Sequence, residues 1–234
     1  MARSIFNSID NLSLQDLESE ADLIPLMSTE DEEALENEVL PDTVPILPLR
    51  NTVLFPGVVI PITAGRDKSI QLIKDANKGD KIIGVVAQRN ESIENPGPND
   101  IYNLGTVAQI LRVLKMPDGN TTIIIQGKKR FTIKSIVEEK PYLKAQIEPV
   151  DEALPKKNDK KFLATIDSIK DLALQIIQEN PNIPSEASFA IKNIQTPSFL
   201  INFVSSNMNV SVKEKQQILS EVSLHQRALM CLKH

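Results

Sequence analysis

Two histidines and one cysteine are all the imidazole and thiol chemistry that 234 residues offer. His225 and His234 fall near the C-terminal end, and neither forms with Cys231 the spaced Cys/His set that a metal site requires. A single cysteine excludes an internal disulfide framework and points to a reducing compartment. Tryptophan is absent and aromatic residues make up 4%, so the core has to be aliphatic. No apolar run approaches the roughly 20 residues needed to cross a bilayer. The N-terminus lacks a basic-then-apolar leader pattern, and its acidity argues against a transit peptide. The expected location is cytoplasmic, with no membrane partner.

Phosphate-cradling loops are missing too: neither G-x-x-x-x-G-K-S/T nor G-x-G-x-x-G occurs, and Gly127-Lys-Lys-Arg130 has the wrong glycine spacing. There is no G-x-S-x-G elbow. No nucleophile stands out beside a base, so no catalytic residue, cofactor site or metal site is assigned to this chain.

Charge is present but uneven. Residues 1–40 hold eleven acids against one base, Arg3, a net of −10, which leaves +5 for the remainder of a chain whose net charge is −5. Residues 1–42 set short apolar clusters in this acidic background and bury little per residue ordered, so they read as a disordered tail. The functional alternative is an acidic arm that docks on a partner or a neighbouring subunit. Lys128, Lys129 and Arg130 beside Phe131 are the one place where basic residues adjoin an aromatic ring. That run reads as a hairpin shoulder with solvated charges, and nucleic acid is not an expected partner.

The most unusual stretch is Pro45-Ile-Leu-Pro-Leu-Arg-Asn-Thr-Val-Leu-Phe-Pro-Gly57, continuing to Pro61 and Ile62. Its prolines cut an apolar run into pieces too short for a helix and suited to strands, each proline belonging at a strand start, edge or bend. Phe55-Pro56-Gly57 is the sharpest break, and Arg50 is expected to donate to backbone carbonyls or a nearby acid. A helix follows over 66–77 and stops at Lys78-Gly79-Asp80. Residues 81–88 form a buried strand, and 91–100 can only be a loop.

Runs 105–115 and 121–126 flank Met116-Pro-Asp-Gly-Asn120, a strong hairpin signal. Strands over 130–137 and 142–150 follow, the latter with Leu143, Ala145 and Ile147 on one face. Six or seven short strands and one helix suggest a closed or nearly closed barrel over 43–150. Residues 151–158 read as a linker. From 159 to 234 the pattern is a small helical bundle, beginning with a stripe of Phe162, Ile166, Ile169, Ala173 and Ile176. Thr196-Pro197, Ser211-Val-Lys-Glu214 and Ser223-Leu-His-Gln226 mark later helix starts. No stop signal precedes His234, as in a chain cut inside a longer helix.

The motif over 45–61 closely resembles the opening of the N-terminal domain of the ATP-dependent protease Lon. The similarity continues through Gly105-Thr-Val-Ala-Gln-Ile110, Pro117-Asp-Gly119, Gly127-Lys-Lys-Arg130 and Tyr142-Leu143. The resemblance implies an α+β fold, a PUA-like β-pseudobarrel followed by a small α-helical bundle. It also implies a non-catalytic substrate-recognition module of a larger ATP-dependent serine protease. ATP and Mg would belong to that parent protein, a hexamer degrading misfolded and regulatory proteins, and the partners would be unfolded or tagged polypeptides and neighbouring subunits. Candidate substrate contacts are the Phe55, Pro56, Gly57 corner and the Met116, Pro117 hairpin tip, where apolar surface could meet an extended chain. Phe55 also suits ordinary core packing. The competing reading is a stand-alone PUA-like RNA-binding module.

Overall fold

A computed structural model describes residues 38–117, 119–156, 158–180, 183 and 186–234. Residues 1–37, most of the acidic tail, lie outside the described residues. Strand β1 is Thr43–Leu49, the chain turns at Phe55–Gly57, and β2 is Val59–Ala64. The opening stretch divides only at Pro56: β1 runs through Pro45 and Pro48, and β2 through Pro61, each pairing on the side that needs no donor from the proline nitrogen. Helix α1, Asp67–Lys78, buries Leu72, Ile73 and Ala76 and ends at Gly79. β3, Ile82–Ala87, then pairs in parallel with β1, Ile46 opposite Gly84. Parallel neighbours need a crossover, and β2 with α1 supplies it.

β4, Leu104–Lys115, and β5, Thr121–Glu138, form the expected antiparallel hairpin. The runs 121–126 and 130–137, expected as separate strands, are one continuous β5. Register shifts near Thr106, Ile110, Ile133 and Ile136 bend β4 and β5 without ending them. β6, Lys144–Pro149, pairs with both β1 and β5. The strand order is β2-β5-β4-β3-β1-β6, and the β5–β6 pairing closes five strands into a ring with β2 added outside on β5. This is the pseudobarrel.

Alternation along the strands makes two cores. Val44, Ile46, Val86, Val107, Phe131, Ala145 and Ile147 come from all five ring strands and fill the ring. The opposite faces of the same strands present Leu47, Leu49, Val85, Ile110 and Ile123, which α1 covers with Leu72 and Ile73.

Five helices follow: α2 Lys160–Glu179, α3 Glu186–Asn193, α4 Pro197–Asn207, α5 Val212–Ser220 and α6 Leu224–Lys233. Three of their amino ends are capped by side chains of the expected kind, whereas Thr196, expected as the cap of α4, makes no side-chain cap hydrogen bond and that helix starts on Pro197 alone. Asp159 accepts from the Lys161 and Phe162 amides, Ser211 and Glu214 form a complete capping box, and Ser223 accepts from the Gln226 amide. Two of their carboxyl ends meet cations from neighbouring helices, which complement the helix dipole. Lys170 donates to the Lys192 and Ile194 carbonyls at the end of α3, and Lys215 to the Ser206 carbonyl of α4.

The third core is the seam between barrel and helices, where Val53, Phe55 and Val58 pack with Phe162, Phe199, Ile201, Ile218 and Leu224. Phe55 is 0% exposed. The expected linker is docked here at Ala153, which bridges Ser223, donating to the Val222 carbonyl and accepting from the Leu224 amide.

The corner that delivers Phe55 to the seam depends on two glycines. Gly57 adopts φ 78°, which favours glycine, and its amide donates to the Gly127 carbonyl at 2.9 Å. A Cβ on Gly127 would lie 2.3 Å from the Phe55 carbonyl oxygen. Gly127→Ala should therefore lower the unfolding free energy by about 1–3 kcal/mol, read as a lower urea midpoint with an unchanged slope.

Candidate functional site

The described residues contain no group of three or more His, Cys, Asp or Glu side chains placed to hold a metal. His225 Nδ1 stands 3.6 Å from Asp159 Oδ2 and its ring packs edge-on against Phe162, so it ties α6 to the start of α2 and is not a loose surface residue. Cys231 is buried, which raises its thiol pKa and keeps it in the protonated, unreactive form.

The densest polar cluster lies inside the molecule. Glu152, just after β6, bonds through one carboxylate oxygen to the fully buried Arg227 of α6 and through the other to Ser198 of α4 at 3.0 Å. Arg227 also bonds Asn202, whose amide nitrogen donates to the Pro56 carbonyl at 3.1 Å. Arg130 of β5 approaches Glu152 at 3.8 Å and donates to the Leu219 and Glu221 carbonyls at the end of α5. Burial pushes the Arg227 pKa down to about 10, with Glu152 opposing that shift. Enclosed by barrel and helices, this cluster is a latch between them.

The latch corrects the expectation for the basic run. Arg130 is 3% exposed and committed to α5, and Lys128 pairs with Glu38 at 3.1 Å. Neither is a solvated charge: β5 carries Arg130 into the seam, and Lys128 is half-buried against Glu38 ahead of β1. Arg50 differs as well: it is exposed and makes no hydrogen bond among the described residues, while Arg66 takes the donor role toward Gln88.

Of the residues expected to contact substrate, the structure places the two groups apart. Phe55 and Gly57 are buried in the seam, and Pro56 is half-buried with its carbonyl engaged by Asn202. Met116 is half-buried and Pro117 exposed at the hairpin tip, which the Met116 amide closes on the Asn120 carbonyl at 2.9 Å. Beside that hairpin, β2 is paired on one side only, and exposed Pro61 blunts its free edge by lacking an N–H.

Two further surfaces escaped the sequence reading. α2 and α3 pack together yet leave Leu172 at 45%, Ile176 at 59% and Phe189 at 63% exposure, although Ala173, Leu174 and Ile177 on the same turns still pack against the seam. The helical periodicity of α2 was visible, but which turns a partner covers is a property of the assembled bundle. The other is a groove of about 100 Å³ at the start of α1, beneath the loop over 91–100. No helix among the described residues is long and apolar enough to cross a membrane.

Comparison with known proteins gives the context for these surfaces. Residues 43–234 match the family described as the ATP-dependent protease La (LON) substrate-binding domain. The Lon protease of Flavobacterium johnsoniae is 66% identical over 227 residues, covering 97% of this chain and 28% of its own length. That of Cytophaga hutchinsonii is 47% identical over 211 residues, 90% of this chain and 26% of its own length. The chain thus spans little more than a quarter of the curated relatives it matches. Among solved structures, the N-terminal domain of the Mycobacterium avium complex Lon protease superposes with a TM-score of 0.66 at 23% identity. It covers 82% of this chain and 96% of its own, a likeness of fold.

The latch predicts an asymmetric response to substitution. Glu152→Ala strands two buried guanidinium groups and should cost about 3–5 kcal/mol. Arg227→Met removes a cation along with its desolvation cost and should cost less, both read from urea unfolding curves.

Proposed function

Because the chain belongs to the Lon protease family, as its substrate-binding domain, we propose that it is the polypeptide-engaging module of an ATP-dependent serine endopeptidase. The observation that carries this reading is the family match along residues 43–234. The module contributes no bond-breaking chemistry of its own. ATP, Mg and the peptidase centre belong to the rest of the parent protein, a cytoplasmic homohexamer that removes misfolded and regulatory proteins.

Residues 43–150 and 159–234 form its two lobes, with 151–158 joining them. The latch and the Phe55 seam hold these lobes as one platform, so a chain bound anywhere on it is presented in a constant orientation. Contacts to an extended substrate come from exposed apolar side chains, since these have the most to gain by leaving water. Met116 and Pro117 at the hairpin tip supply them on the barrel. At the corner, Pro56 retains surface while Phe55 and Gly57 shape its backbone.

Two titrations test this. The chain should bind a reduced, alkylated, unfolded protein in preference to the same protein folded; preference for the folded form would overturn the reading. Met116→Asp should weaken the unfolded ligand by roughly tenfold without changing the thermal midpoint.

A further inference from the structure

Residues 1–37 and one exposed surface of the described chain have matching chemistry. There is no basic residue between Arg3 and Arg50. The apolar run Leu23-Ile-Pro-Leu-Met27 follows Glu18, Glu20 and Asp22 and precedes Glu30, Asp31, Glu32 and Glu33. Such a segment fits a seat that is apolar in the middle and basic at the rim, because apolar side chains gain by leaving water while carboxylates need cations or solvent. One pair of this kind is already made where the described chain begins, Glu38 on Lys128 at 3.1 Å. Val39 is then exposed, and Leu40 packs against the ring core. The arm is therefore anchored at its inner end, beside the part of β5 that meets the helices.

A seat of that kind lies a short way from Glu38. Two residues beyond Lys128, Arg130 bonds the Glu221 carbonyl, and the next residue, Val222, is 44% exposed. The Ala153 amide bonds the Val222 carbonyl, which sets Leu154, 66% exposed, in the neighbouring segment. His225 meets Asp159 and so brings up the first turn of α2, where Leu163 is 48% exposed. Lys156, Lys160 and Lys161 are exposed along the same stretch and form no ion pair among the described residues. Of the acids over 151–167 and 221–226, Glu152 is held in the latch, Asp159 caps α2, and Glu221 accepts from the Ser223 amide. Asp151 and Asp167, both exposed, are the other two. Reach and charge both separate this seat from the exposed face of α2 and α3. From Glu38 back to Met27 is 11 residues, about 36–40 Å when extended. Ile176 lies 13 residues past Leu163, about 20 Å further along the helix. Residues 172–189 also carry Glu179 and Glu186 and no base, so an acidic arm is repelled there.

We propose that the chain's own acidic arm docks on this surface in cis, with Leu23–Met27 against Leu154, Leu163 and Val222 and the flanking carboxylates facing Lys156, Lys160 and Lys161. In an extended segment Ile24 and Leu26 share one face and cover the apolar seat together. Tethering makes a weak contact sufficient. With an effective concentration on the order of 1 mM, a Kd of about 0.1 mM holds the arm docked by about ten to one. The docked arm covers the outer side of the segment that carries Glu152, the shared partner of both buried arginines. The inference goes beyond the polypeptide-engaging reading and is independent of it, since the hairpin tip stays free.

The test uses the full 234-residue chain with Ser28→Cys carrying a nitroxide; Cys231 is buried and protonated, so position 28 takes the label. Relative to the chemically reduced label, the amide signals of Leu154, Lys156, Lys161, Leu163 and Val222 should fall by about half or more. Lys160→Glu with Lys161→Glu in one chain, and Ile24→Asp with Leu26→Asp in another, should each restore most of that loss. The other amide signals should stay in place, which shows the fold intact; acids in the first turn of α2 also suit its dipole. A mixture of isotope-labelled chain without nitroxide and nitroxide-bearing chain without isotope separates cis from trans. Signal loss as large in that mixture as in the single-chain sample would overturn docking in cis. Loss centred on Leu172, Ile176 and Phe189, loss spread evenly over the surface, or loss that neither pair of substitutions relieves would overturn the seat.

Discussion

Two guanidinium groups removed from water set the terms on which the barrel and the helices join. Arg130 and Arg227 are almost fully enclosed, and a buried cation is tolerated only where carboxylates and carbonyls replace its hydration. Glu152 meets both, Asn202 meets Arg227, and the free carbonyls at the end of α5 meet Arg130. These partners come from β5, the segment after β6, α4, α5 and α6. Each element's position is thereby fixed relative to the others, since moving one strands a charge. The apolar seam around Phe55 packs the two parts together, and the latch selects one relative orientation within it.

This arrangement has a functional consequence. A module that hands a flexible chain onward works best as a stiff platform, because flexibility at both sides of a contact raises the entropy lost on binding. The docked backbone of Ala153 and the Asn202 bond to the Pro56 carbonyl remove hinges between the lobes, and the helix ends met by Lys170 and Lys215 stiffen the helical lobe itself. What is left for ligands is the periphery: the hairpin tip, the second half of α2 with α3, and the groove under the 91–100 loop.

Much of the fold could be read from residue order. The Phe55-Pro56-Gly57 corner, the Asp-Gly hairpin signal and the alternation around Ala145 located strands and turns because those effects are local, acting within a few residues. Helix starts were legible for the same reason, as Asp159, Ser211 and Ser223 bond amides two or three positions ahead. The continuity of β5 through Gly127 was not, since it depends on the Phe55 backbone arriving from 72 residues earlier in the chain. Arg130 looked like a solvated charge among basic neighbours because nothing nearby in sequence announces Glu152 or the α5 carbonyls.

The candidate surfaces divide along the same line. Family membership and the apolar character of Met116 and Pro117 belong to the sequence, which by itself determined the order of strands and helices and the absence of any familiar catalytic motif. Only the tertiary structure decided that Phe55 is enclosed, that Ile176 and Phe189 are bare, and that Ser69, Gly97, Glu139 and Tyr142 line one groove. The physical reason is that local sequence sets backbone preference and the apolar or polar nature of each face. Burial and the meeting of side chains depend on which distant element closes over that face, and that follows from packing the whole chain at once.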